Sequence, residues 1–405
     1  MLDPGAVVTE GFSAHVVEAA GRSYFGMLLS SGKVLKLGLA GGESVELPAD
    51  TITRHETLAV SPMPPQGGLL GPQDVADVTA WLLSQKGQKT GAGIPGTVPA
   101  GAGFQFDLRA DRLVIGHTGQ PVAEFVFRDE KILRPYFANV YAPGGLKATR
   151  NHPPVAGADA TDHDTMHPGI WLAFGDLSGA DFWRNKGRIE HVRFSEAPAV
   201  RDGRLTFATE CRLRTADGLT LCAMSNRFTV TALANDWLLV WDATFRSDDG
   251  EFTFGDQEEM GFGARVATAI TEKSGGLITS SAGLKTAKHT WGQPAEWCDY
   301  SGTIDGRRVG ITLVADLANL RPSWWHNRDY GVLVANLFGR AAMKQGDKSV
   351  VAVKRGEIFH VRFGAVIHSG DGYDPVAACR GFLTSAAPVE AASDRQELVQ
   401  PESRK

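Results

Sequence analysis

The chain has 405 residues, enough for two or three domains, or for one small domain and one large β domain. Hydrophobic residues make up 43% and charged residues 21%, so a packed core is expected, and a net charge of −5 without any basic stripe argues against nucleic acid as a partner. No run of about 18 apolar residues occurs, so no membrane-spanning helix is expected, and Met1-Leu2-Asp3-Pro4 lacks the charged and apolar regions of a signal peptide.

Residues 6–57 alternate short apolar runs with Gly and Asp/Ser turns. Ser13–Val17, Tyr24–Leu29, Val34–Leu37 and Ser44–Leu47 predict the strands of a small β-barrel-like module. The period then changes. Val75, Val78 and Leu82, with Ala76, Ala80 and Leu83 beside them, predict one helix over 73–86 that stops at Gly87. Residues 1–90 thus form a small module, and the Gly/Pro/Thr-rich stretch ending at 103 predicts a linker over 91–103.

From 104 onward, β-like runs recur at short intervals: Phe104–Leu108, Leu113–Ile115, Ala123–Phe127, Val192–Phe194, Leu205–Arg214, Thr220–Val230, Trp237–Phe245, Gly261–Thr268, Arg308–Leu313, Gly331–Leu337 and Ile358–Ile367. No helix-length apolar period intervenes. The expectation is a mainly β chain with a large antiparallel β-sandwich over 104–375. Residues 376–405, polar and Ala/Glu/Ser-rich toward the end, predict a flexible tail. Cys211, Cys222, Cys298 and Cys379 form no C-x-x-C pair, so neither a cysteine zinc site nor a redox motif is expected. Cys211 and Cys222 flank a hairpin turning at Ala216-Asp217-Gly218; small buried thiols are the preferred expectation over a disulfide there.

Chemistry-bearing residues gather in a few stretches: Arg150-Asn151-His152, Asp162 to Trp171, Gly175 to Trp183, Asp256-Gln257-Glu258-Glu259, Trp297 to Gly302, and Trp324 to Gly331. His163 and His167 stand four apart with Asp162 and Asp164 beside them. On a helix both rings would share one face, as metal ligands do, while Pro168-Gly169 points to a loop. With His326 and Glu259, the set suits a divalent metal. It equally suits proton transfer, in which His163, His167 or His326 works with Glu259 or Asp299. Two carboxylates alone would suit glycoside hydrolysis. The tryptophans, interleaved with Tyr300, Arg328 and Asp329, suit a pocket for a sugar, whose apolar faces pack on aromatic rings while charged groups bind its hydroxyls. Arg150, Asn151, Trp171, Asp181, Trp297, Tyr300, Trp325, Arg328 and Asp329 are the candidate substrate contacts. Taken singly, each has a structural alternative: turn caps and Arg ties for the polar groups, core filling for the tryptophans.

Two resemblances add to this. Residues 2–86, through Leu2-Asp3-Pro4, Ala6-Val7-Val8, the β-rich insert around 26–37, Ser61-Pro62-Met63-Pro64 and the helix from Pro72 to Leu83, resemble the second part of the haem-binding, cytochrome c-like domain of large planctomycete and verrucomicrobial proteins. There a Met-Pro supplies the second axial ligand, and Met63 occupies that position. The C-x-x-C-H that holds a c-type haem is missing, so no bound haem is expected. Residues 105–370, through the His-rich stretch, W-C-D-Y-S-G and W-H-N-R-D-Y-G, closely resemble the bacterial family labelled PmoA. That resemblance implies a periplasmic or secreted protein of glycan-degrading bacteria and a sandwich similar to that of aldose mutarotases, which pair His with Glu to open a sugar ring.

The expected function is a carbohydrate-active enzyme, hydrolase or isomerase, acting on a glycan or small sugar by His/carboxylate acid–base chemistry with no cofactor. The rivals are a non-catalytic carbohydrate-binding protein and a metal-dependent oxidoreductase.

Overall fold

The structure is a computed structural model, and it describes residues 13–30, 32, 34–39, 44–58 and 103–385. The chain divides into two compact units, Met1–Ala92 and Gly93–Lys405.

In the first unit, the alternating runs form five antiparallel strands: β1 (Ala14–Ala19), β2 (Arg22–Ser30), β3 (Val34–Leu39), β4 (Ser44–Pro48) and β5 (Ile52–Leu58). They lie in the order β4-β3-β2-β1-β5. Period-2 alternation puts Val17, Ala19, Leu35, Leu37 and Leu47 into one buried cluster. Met63, the helix expected over 73–86, and linker residues 91–102 lie outside the described residues.

The second unit is a sandwich of two eight-stranded antiparallel sheets. The first sheet contains β6 (Phe104–Leu108), β7 (Arg112–His117), β8 (Gln120–Val126), β9 (Tyr136–Ala138), β10 (Ile170–Phe174), β16 (Met260–Arg265), β20 (Trp324–Trp325) and β21 (Val332–Asn336), in the order β20-β21-β16-β10-β9-β8-β7-β6. The second contains β11 (Arg188–Arg201), β12 (Arg204–Arg214), β13 (Thr220–Ala232), β14 (Asp236–Arg246), β17 (Leu277–Ser280), β18 (Trp297–Ile304), β19 (Arg307–Ala315) and β23 (Ile358–Ser369), in the order β11-β12-β13-β14-β23-β19-β18-β17. A short pair, β15 (Phe252–Phe254) with β22 (Val351–Val353), stands apart.

Side-chain parity makes the core. Phe125, Phe137, Leu172, Phe174 and Phe262 of the first sheet meet Phe207, Phe228, Trp241, Phe245 and Phe363 of the second in one buried cluster. Rings touch across the layers, as in Phe137–Trp241 at 5.8 Å and Phe262–Phe363 at 5.2 Å. Both outer faces are also covered at their centres. Trp171 and Ala173, facing away from that core, are buried in a second cluster with Tyr136, Trp183, Val332 and Val334.

Two features depart from the expectations, the start of the tail and several strands, while the cysteines agree with them. The tail predicted from 376 begins as helix. After α1 (Ala287–Thr290), α2 (Pro375–Thr384) starts on Asp374, whose carboxylate accepts the Val376 N–H, with Pro375 at the first helical position. Phe382 and Cys379 of α2 are buried against Leu238, Val240, Trp297, Val314 and Val366, and Arg362 Nη2 donates to the Ser385 carbonyl at 2.9 Å. Residues 386–405 lie outside the described residues. The four cysteines are buried and free. Several strands carried no predicted run, among them β10 and β18, which hold parts of the chemistry-bearing stretches.

Candidate functional site

The outer face of the first sheet gathers most of the chemistry. The strand register aligns Tyr136, Trp171, Gly263, Val334 and His326 in one transverse row across β9, β10, β16, β21 and the end of β20. The adjoining row carries Arg265, Val332 and Arg328. The row needs glycine at 263, because a Cβ there would lie 2.7 Å from the Trp171 ring. The indole therefore lies against bare backbone.

Two buried arginines pin the loops above this face. Arg150 donates to the carbonyls of Ala160, Asp162, His163 and His167. Arg134 donates to those of Met166, Phe182 and Trp183 and to Asn185 Oδ1. So held, His163 to His167 closes a single helical turn, the His167 N–H donating to the His163 carbonyl at 3.0 Å. The two rings stack at 5.0 Å. The column continues from His167 to Trp171 at 5.2 Å and from His163 to Tyr330 at 6.0 Å, with Trp183 edge-on to Trp171 at 5.3 Å.

The charges are locked in pairs. Arg265 forks onto Asp162 at 2.8 and 3.0 Å and lies 4.8 Å over the Tyr330 ring. His163 Nδ1 donates to Asp162 at 2.8 Å. Burial alone would raise the Asp162 carboxyl, but Arg265, His163 and Arg150 hold it far below its usual range. His167 is pushed well down, first by burial, then by the charge of Arg265. Arg265 Nη1 sits 3.3 Å from His167 Nδ1. A guanidinium only donates, so that nitrogen is the acceptor and the proton rides on Nε2.

Glu258 is the carboxylate at the end of the row. His326 Nδ1 lies 3.5 Å away and Arg328 Nη2 donates to both oxygens at 3.0 and 3.1 Å. The His326 ring and the Arg328 charge, opposed by burial, hold Glu258 at about 2. His326 Nδ1 faces Glu258 as an ion-pair contact without a hydrogen bond, and the buried Trp171 Nε1 makes none either. Each such orphan costs about 1–3 kcal/mol unless a group from outside the chain meets it. Among the described residues, no group of three or more His, Cys, Asp or Glu is arranged to hold a metal ion.

Residues 112–378 match the model of a family of unknown function, DUF6807. The chain belongs to this family. The whole transverse row lies within the DUF6807 match. A comparison with curated proteins finds no match. Among solved structures, the chain is similar to the GH36 alpha-galactosidase AgaA from Geobacillus stearothermophilus, at 11% identity and TM-score 0.31 over 68% of this chain and 40% of that one. It is similar to the alpha-galactosidase from Lactobacillus brevis at 9% identity and TM-score 0.31, over 84% of this chain and 38% of that one. A galactose mutarotase-like protein from Lactobacillus casei ATCC 334 gives 8% identity and TM-score 0.31, over 66% of this chain and 100% of that one. The DUF6807 chain thus spans about two fifths of either alpha-galactosidase.

The sequence candidates fall into three groups. His163, His167, Trp171, His326, Arg150 and Arg328 all belong to the outer face of the first sheet or the loops pinned on it. Trp171 is fully buried, so it is floor rather than a stacking platform. Glu259 and Asp181 share Arg184, at 2.5 and 3.1 Å, and Asp181 caps the backbone of Trp183 and Arg184. The carboxylate beside His326 is Glu258 rather than Glu259. Asn151 bridges Lys147 and Asp159.

The other candidates lie off that row. Tyr300 and Trp325 belong to the core between the sheets, their polar atoms bonded to backbone carbonyls. Trp297 packs under α2 on the outside of the second sheet. Asp329 is half exposed, 3.7 Å from Lys273 Nζ. Asp299 is the clearest correction. It is fully buried on the outer side of the second sheet, 2.8 Å from His368 Nε2, and accepts from Ser301 and Thr312. It shares no face with His163, His167 or His326. Sequence reasoning missed Arg265 and Tyr330. The pattern Gly261-x-Gly263-x-Arg265 was the available signal, since it puts two bare positions and one cation on the same side of a strand.

Proposed function

We propose that this face is an acid–base site acting on a sugar, with His326 as the proton-transfer group and Glu258 as the ionised carboxylate beside it. The observation that carries it is the Glu258–His326 pair, carboxylate and imidazole Nδ1 3.5 Å apart, with Arg328 clamping the carboxylate. A carboxylate kept ionised beside an imidazole is a proton-moving pair at neutral pH. Partly exposed Tyr330 and Trp291 flank it, Tyr330 beside Arg265 and Trp291 with Arg328 5.6 Å from its ring. Aromatic faces and charged hydroxyl-binding groups together suit a polyhydroxylated ring. His167, neutral and buried, positions His163 and the loop rather than exchanging protons.

The test is a panel of mono- and oligosaccharides incubated with the full chain, followed by NMR for anomeric or epimeric change and by reducing-end release. Glu258→Gln and His326→Ala are each expected to lower turnover by at least about 100-fold with the near-UV circular dichroism unchanged. Saturable sugar binding without turnover by the wild-type chain would instead favour the binding-protein alternative. Neither binding nor turnover across the panel would sink the sugar assignment altogether.

A further inference from the structure

At the β20 end of the first sheet, the Glu258–His326 face runs on into a group of cations. Trp325 turns into the core, so Trp324 and His326, on either side of it, emerge on the outer face. Opposite Trp324, Asn336 donates to the Gln257 and Glu258 carbonyls at 2.8 and 3.1 Å, which ties this end of the sheet to the Glu258 segment. Arg321 lies 5.8 Å from the Trp324 ring. Trp291, the second aromatic here, has both Arg328 and Lys344 at 5.6 Å from its ring.

The 339–349 loop is fastened beside these rings. Asp256 accepts the N–H groups of Ala341, Ala342 and Ser349 at 2.9, 3.0 and 2.8 Å and so draws the two limbs of the loop together. Gly292 joins the Trp291 segment to both neighbours. Its N–H donates to the Trp325 carbonyl at 2.8 Å, and a Cβ there would lie 2.7 Å from the Met343 carbonyl. Lys344 stands at φ +59°, in the left-handed region that favours glycine or asparagine, and backbone of this kind gathers at working sites.

The cations differ in their partners. Arg328 has Glu258, Arg265 has Asp162 and Lys273 has Asp329. Arg321, Arg340 and Lys344 have no carboxylate within ion-pair distance among the described residues. The Arg321 and Arg340 side chains make one long hydrogen bond each, to Ser349 Oγ at 3.5 Å and to the Gln345 carbonyl at 3.4 Å. Burial and the charge of Arg340 hold Arg321 below the ordinary arginine value, against the pull of Asp256, whose oxygens are taken up by the loop backbone. Two guanidiniums in Coulomb range repel each other until an anion joins them.

We propose that the sugar bound at this face is acidic, a glycan whose rings carry carboxylate or sulfate groups; this inference rests on the sugar reading of the Glu258–His326 pair. Its rings pack on Trp291 and Trp324, and its anionic groups take charge-assisted hydrogen bonds from Lys344, Arg340 and Arg321. A neutral glycan finds the same aromatic faces but leaves three charges without a counter-ion.

The experiment titrates the full chain calorimetrically with three matched pairs: oligogalacturonate and its methyl ester, oligoglucuronate and its methyl ester, and a sulfated galactan oligosaccharide and its desulfated form. At least one acidic member is expected to bind about tenfold or more tightly than its neutral twin, with an affinity that falls as ionic strength rises. The ester pairs and the sulfate pair tell the two anionic groups apart. Arg340→Gln and Lys344→Gln, both at exposed side chains, are each expected to weaken that acidic oligosaccharide by roughly tenfold with near-UV circular dichroism unchanged, while Arg340→Lys keeps most of the affinity. Neutral twins that bind as tightly as the acidic members would overturn the acidic assignment and leave the sugar reading standing. No binding by either member of any pair would overturn both. Acidic binding that survives combined replacement of Arg321, Arg340 and Lys344 by glutamine would also overturn the proposal.

Discussion

At the scale of single residues, the outer face of the first sheet is defined by groups held away from their ordinary protonation. Glu258 is held at about 2 against an ordinary value of 4.5, by His326 and Arg328. A carboxylate depressed by folding contributes stability above its unfolded pKa and loses it as pH falls through the folded one. His167, depressed by burial, works in the same direction: its unfolded form takes a proton first as pH drops below about 6.5. Stability should therefore decline from slightly acidic pH and steepen between pH 4.5 and about 2. Denaturant melts of Glu258→Gln should show a shallower acid limb than wild type over that lower window; parallel curves would deny Glu258 this role. Asp299 gives the contrasting case. Truncating one member of a buried, hydrogen-bonded His–carboxylate pair leaves its partner bare, at about 3–5 kcal/mol. Asp299→Ala should lose that much by urea titration, yet keep sugar turnover wherever it remains folded. Loss of turnover in a folded variant would return Asp299 to the chemistry. The sequence marked His163, His167 and His326 because histidine is conspicuous, and it marked Asp299 because a carboxylate among tryptophans is conspicuous too. Residue type alone cannot say on which side of which sheet a side chain emerges.

At the scale of elements, that side is decided by parity and register. In β18, Cys298 and Tyr300 turn into the sandwich while Trp297 and Asp299 turn out beneath α2 and the Tyr373 segment. Read as a motif, Trp297 to Gly302 suggested one cluster; as a strand it feeds two opposite surfaces. β10 was equally hard to read, because both of its faces are buried and Ile170 to Phe174 shows no alternation. Alternating strands such as β12 and β13, with one face nearer solvent, were legible almost to the residue. The Asp374-Pro375 helix start was visible in sequence, but the polar composition beyond 381 masked it. Gly263 is where an element carries the site. Gly263→Ala would place a methyl against the Trp171 indole, and overpacking of this kind costs about 1–3 kcal/mol. The expected outcome is a lower melting midpoint with an altered tryptophan emission spectrum. An unchanged spectrum would mean that the indole does not rest on that backbone.

At the scale of the whole molecule, the sandwich carries its own core. The main buried cluster runs from Phe104 to Ile367, and the layer under α2 closes at Phe382. A fragment spanning 103–385 is therefore expected to fold without the first unit and to melt in one cooperative step with native near-UV circular dichroism. A fragment that precipitates or melts without cooperativity would show that the core is incomplete. The antiparallel sandwich was readable from short runs and turn signals, because strand spacing is a local property. Which strands become neighbours is not local, and it decides the site.

The transverse row has a kinetic consequence. Tyr136, Trp171, Gly263, Val334 and His326 come from five strands scattered along the unit. Closing such long loops is slow, and β20 docks at the rim of its sheet. A refolding chain can rebuild its secondary structure and much of its core before His326 arrives beside Glu258. Recovery of function is then a stricter clock than recovery of circular dichroism, and the lag between the two would time the arrival of the last strand.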